Sequence, residues 1–136
     1  MLLLGMALSA AAVQTEHERP LRPILLSQGF TGELQGKVGL VRLGQLNCAR
    51  RKLDVIFYRW EESSSPGLAI HAQQRILFIG QDQYIGSFTV DDRPKHLNGT
   101  SVHFGYPAGT GSEVRCGKQG LPKSVFLNGE RRDLEK

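Results

Sequence analysis

The chain has 136 residues, 40% of them apolar and 22% charged, which suits one domain with a single modest core. Sixteen Gly and six Pro are scattered without a repeat, which excludes solenoid and low-complexity classes. The net charge of +4 is of mixed sign: Arg50-Arg51-Lys52 and Arg131-Arg132 are offset by Glu61-Glu62 and Asp91-Asp92, without the aromatic-interleaved basic face of a nucleic-acid binder.

Residues 1–13 read MLLLGMALSAAAV, an uncharged apolar run ending in small residues. This is the pattern of a signal-peptide core and its A-x-A-like cleavage site, expected after Ala10 or Ala12. The run is shorter than the ~20 apolar residues that span a bilayer, so no transmembrane anchor is expected. No Lys or Arg precedes Arg19, which points to a start further upstream or to a weak signal. The expected organisation is a signal peptide over residues 1–12, an extended segment over 13–29, one β domain over 30–129 and a charged tail over 130–136.

Pro20 and Pro23 bias residues 21–28 toward extended backbone. Residues 30–35 and 38–43 read as two short strands, with Gly36-Lys37 as the turn between them. Gly44 punctuates before Leu46-Asn47-Cys48. Residues 53–60, LDVIFYRW, form the strongest strand signal, rich in β-branched and aromatic side chains. Both of its faces are largely apolar, which predicts a central strand.

Residues 61–67 carry a surface-loop composition, and residues 67–74 are the one helical candidate. Residues 75–79 and 83–90 follow as a hairpin, with Tyr84, Gly86, Phe88 and Val90 expected on one face. Gly86 inside that strand suggests a bulge or the close approach of a neighbour. Turns at residues 91–94 and 97–100 precede a strand at 101–106, and shorter strands are expected around Val114 and over residues 124–127. The last seven residues are expected to fray or to form one helical turn. The sum is an all-β antiparallel meander of seven or eight strands, closing into a barrel or a sandwich.

Cys48 and Cys116 are the only cysteines, and in an exported chain they are expected to pair. Their separation rules out a C-x-x-C redox motif. His71, His96 and His103 lack the tight spacing of metal ligands, so no metal, cofactor or catalytic group is assigned. No G-x-S-x-G or Walker A pattern occurs, and Asn98-Gly99-Thr100 reads better as a tight turn than as a glycosylation sequon. Tyr58, Trp60, Tyr84 and Tyr106 lie at strand positions beside loops and are the candidate surface contacts, Trp60 foremost.

With one cysteine before the main core strand and another near the end, the layout resembles the periplasmic and membrane-bound inhibitors of C-type lysozyme. The resemblance implies a small exported β-barrel; that family's Ser- and Lys-bearing inhibitory loop has no counterpart here. The sequence therefore points to a periplasmic or secreted module that binds or inhibits an envelope protein or polymer, more readily than to an enzyme. A small hydrolase or metal-dependent enzyme using His71, His96 or His103 is one alternative. An envelope assembly subunit using an exposed strand edge is the other.

Overall fold

A computed structural model describes residues 20–62 and 71–136. The first nineteen residues, with the expected signal peptide, lie outside the described residues, as does most of the expected 61–67 loop. Helix α1 (Leu21–Ser27) is followed by β1 (Lys37–Cys48), β2 (Arg51–Glu62), β3 (His71–Gly80) and β4 (Gln83–Thr89), which form one antiparallel sheet in that order. Strands β5 (His96–Asn98), β6 (Ser101–His103) and β7 (Glu113–Arg115) make a second sheet. Strands β8 (Ser124–Leu127) and β9 (Glu130–Asp133) make a third. The chain is thus mostly β and antiparallel, and no closed barrel is formed among the described residues.

The apolar run of β2 lies between β1 and β3, and its alternation feeds two cores. Leu53, Val55 and Phe57 face the larger core, with Ile76 and Phe78 of β3 beside them. The second and third sheets cover that face through Val102, Val114 and Leu127. Ile56 and Tyr58 face the smaller core, with Leu77 and Ile79, and α1 and the 30–34 loop cover it through Leu25, Phe30 and Leu34.

Both outer strands of the main sheet change face partway along. Leu43 is the extra residue between the pairs Arg42↔Ile56 and Gly44↔Val55. Val38 and Leu40 before it pack on the smaller core, whereas Leu46 and Cys48 after it are buried in the larger one. Gly44 has φ 149°, a conformation that favours glycine. In β4, Ile85 is the extra residue between Ile79↔Tyr84 and Phe78↔Gly86. Tyr84 consequently belongs to the smaller core while Phe88 and Val90 belong to the larger. The single shared face expected for residues 84–90 does not exist, because a strict two-residue alternation cannot pass through a bulge.

Three other expectations are corrected. Residues 21–27 are helical rather than extended. Pro23 sits in the first turn, where an N–H would lack a partner anyway, and Leu21, Ile24 and Leu25 fall on one face. Gly29, at φ 83°, ends the helix, and the Phe30 N–H donates to Leu25 O at 3.1 Å. Residues 30–35 are irregular rather than a strand, because their backbone N–H groups are taken elsewhere: Thr31 donates to Lys136 O, and Leu34 and Gln35 donate to the Glu33 carboxylate. Of the helical candidate at 67–74, the described part, beginning at His71, is strand β3.

The C-terminus is held rather than frayed. Glu130–Asp133 is β9, joined to β8 through Asn128-Gly129. The Ser87 N–H then donates to Glu135 O at 2.6 Å, so the tail covers part of the β4 edge. Gly86 makes room for it: a Cβ there would lie 2.9 Å from Leu134 and 3.0 Å from the Glu135 carbonyl.

Cys48 and Cys116 form a disulfide with Cα atoms 5.3 Å apart and lie 68 positions apart in sequence. It ties the tip of the β1–β2 hairpin to the strand end after β7. A closed loop of this length stabilises a fold by about 4 kcal/mol in the chain-entropy view. Reduction, or Cys48→Ala, is expected to lower the thermal midpoint by roughly 15 °C. Calorimetry with and without reductant checks this, and unchanged melting would contradict it.

Candidate functional site

The four aromatic candidates have different environments. Tyr58 is fully buried, and its hydroxyl donates to Glu33 O at 2.6 Å. Tyr84 is buried, donates to Lys136 O at 2.6 Å and meets Phe30 edge-on. The Tyr106 hydroxyl accepts from the Asp91 and Asp92 N–H groups at 2.9 and 3.0 Å, while its ring stacks on Phe104. These three rings fill cores, and their hydroxyls tie loops and the C-terminus to the sheets. Trp60 alone of the four is half-buried, packed against the smaller core and partly exposed.

Trp60 borders an open hollow of about 480 Å³, with Glu33, Gln35, Gly36 and Lys37 on one side and Glu61 and Glu62 on the other. The sequence builds the wall opposite the ring in a few steps. The Glu33 carboxylate accepts from the Leu34 and Gln35 N–H groups at 3.1 and 2.9 Å, curling the loop back on itself. Arg22 of α1 donates to Leu34 O at 2.7 Å, and Tyr58 holds the Glu33 carbonyl. Gly36, at φ 80°, then turns the chain into β1, where Lys37 pairs with Glu61 and Val38 with Trp60. Arg59 makes an ion pair with Glu61. Among the described residues the indole N–H has no acceptor, so the cleft offers an aromatic face, a free donor and carboxylates on a braced rim.

Gly36 is legible in the sequence as a turn residue, whereas nothing in the sequence alone marks Arg22 and Glu33 as part of this cleft. The one local hint is Glu33 two residues before Gln35, a spacing at which a side chain caps its own backbone.

Among the described residues, His71 belongs to a different sheet from His96 and His103. His96 and His103 are cross-strand partners with stacked rings 4.6 Å apart, and His103 Nδ1 lies 3.6 Å from a Glu113 carboxylate oxygen. His71 is in the main sheet, opposite Glu62. Among the described residues no group of three or more His, Cys, Asp or Glu has the geometry to hold a metal ion. Nor is any described helix long and apolar enough to cross a membrane.

No protein-family model matches the chain, and neither a curated protein nor a solved structure is significantly similar to it. What the fold defines is the class: a mostly β, antiparallel, disulfide-bonded domain.

Burial raises the pKa of Tyr58, Tyr84 and Tyr106 above the usual phenol value. A phenol that holds its proton more tightly when folded contributes stability below its unfolded pKa of about 10, and that stability is lost as pH rises through the folded value. These are all the tyrosines of the chain, so tyrosinate absorbance should titrate above pH ~10 and coincide with unfolding. A titration near pH 10 with the fold intact would contradict their role as buried ties.

Proposed function

We propose that this protein is a small exported, non-catalytic module that binds or inhibits an envelope protein or polymer through the Trp60 cleft. The observation that carries the reading is the half-buried Trp60 beside a rim braced by Arg22, Glu33 and Tyr58. A rigid aromatic on a pre-formed wall loses little entropy on binding, which is why such residues anchor interfaces. Export is supported by the Cys48–Cys116 disulfide, because such bonds persist in oxidising compartments. Within this reading the small sheets lie over one face of the main sheet as the second layer of an irregular sandwich.

A second reading, assembly with other subunits, is favoured by the outer edge of β1, which pairs with no strand among the described residues. Its exposed Val41 adds apolar surface, although Lys37, Arg42 and the bulge at Leu43 all discourage strand addition. A strict monomer by sedimentation at high concentration would end it.

Trp60 is the only tryptophan, so its fluorescence reports directly on the cleft. Titration with a C-type lysozyme and with soluble peptidoglycan fragments should shift its emission for one of the two. Trp60→Ala should weaken that binding by about 30-fold or more, the size of a hot-spot truncation, while leaving the melting curve near that of the parent. If neither titrant moves the emission and neither is retained by the immobilised full chain, the reading fails.

A further inference from the structure

The main sheet carries the Trp60 cleft at one end and a cationic pole at the other. The β1–β2 hairpin has twelve residues in each strand, so its two ends stand roughly 35 Å apart. At the far end the turn is Ala49-Arg50, followed by Arg51 and Lys52, all exposed. The disulfide ties Cys116, and with it the neighbouring Arg115 and Lys118, to this tip. Two open hollows flank it, of about 370 Å³ on the Arg50–Lys52 side and about 590 Å³ between Arg115, Lys118 and Lys123. No acidic residue lines either hollow. Among the described residues Arg50, Arg51, Lys52, Lys118 and Lys123 make no ion pair. Arg115 is the exception, 3.5 Å from Glu113, and Asp82 stands on the neighbouring β3–β4 turn. Cations therefore outnumber carboxylates at this pole.

The turn itself is costly. Ala49 and Arg50 both have positive φ, 48° and 70°, in a two-residue hairpin turn that favours Asn-Gly. The same chain places Asn128-Gly129 in its β8–β9 turn. At the tip, backbone comfort is given up and a cation stands where glycine would suit best.

We propose that this pole is a docking surface for anionic lipid headgroups, which would hold the domain on a membrane with the Trp60 cleft pointing away. Arg50, Arg51 and Lys52 follow Cys48, and Arg115 and Lys118 flank Cys116, so the disulfide gathers two sets of cations at one pole. An anionic leaflet offers headgroups in two dimensions and can meet both sets together. No aromatic residue lines either hollow, so nothing there stacks on nucleic-acid bases. Each cation near an anionic leaflet contributes about a fivefold gain in partitioning.

The test is co-sedimentation of the full, disulfide-bonded chain with vesicles of phosphatidylcholine alone or with about a third phosphatidylglycerol, at low salt. The chain should partition onto the anionic vesicles only and be released at high salt, where charges are screened. Ala49→Asn with Arg50→Gly should raise the melting temperature and still lower partitioning about fivefold, which separates lost charge from lost folding. Adding Lys118→Gln and Lys123→Gln should lower it by about a further 25-fold. Trp60→Ala should partition as the parent does, so this proposal and the cleft reading can fail separately. Equal partitioning onto both vesicles, none onto the anionic ones, or no effect of these substitutions would overturn it. So would binding to heparin or duplex DNA without binding to anionic vesicles.

Discussion

A strand that alternates strictly shows the same residues to the same side throughout, yet both outer strands of the main sheet serve two cores. One unpaired residue in each, Leu43 in β1 and Ile85 in β4, reverses which side chains point where. In β1 the reversal separates Val38 and Leu40, on the smaller core, from Leu46 and Cys48, on the larger. Cys116 is buried in the larger core. Cys48 can meet it only because the change of face has already occurred five residues earlier. The disulfide is therefore downstream of the bulge.

The same reversal divides the labour between the ends of the hairpin. Before the bulge, β1 shares a side with Tyr58 and Trp60, whose loop partners close the smaller core and build the cleft. After it, β1 runs into the disulfide and the cationic tip. The middle of β2 and β3 is taken up by the two cores, and both candidate surfaces lie at the ends of the sheet, where the strands stop and the turns begin. Different residue types then accumulate there: an aromatic with carboxylates at one end, arginine and lysine at the other.

How much of this could be read from the sequence follows from which interactions are local. The central place of β2 was legible because a strand with two apolar faces must be covered on both. The hairpin at Gln81-Asp82 was foreshadowed by its short polar link, and Gly86 by its lack of a side chain within a strand, whereas the hairpin at Asn128-Gly129 was hidden because the charged residues after it carry no apolar alternation. Helix α1 was hidden because proline biases its predecessor toward extended backbone, and only packing of Leu25 on the sheet overrides that bias. The tyrosines were misplaced because a strand-end tyrosine looks the same whether its hydroxyl reaches water or a distant carbonyl. The partners of Tyr58 and Tyr84 are 25 and 52 residues away in sequence. Trp60 was legible as a surface aromatic, but its cleft was not. The opposing wall comes from residues that alternate like a strand and instead fold over the smaller core.

The dependence of the disulfide on the bulge is the claim that most of this account rests on, and it has a direct measurement. Deleting Leu43 restores strict alternation along β1 and should turn Leu46 and Cys48 toward the smaller core, away from Cys116. Mass spectrometry after alkylation under denaturing, non-reducing conditions counts the free thiols. The parent should carry no free thiol and the deletion variant two. A deletion variant that forms the Cys48–Cys116 bond quantitatively and melts with the parent would contradict it.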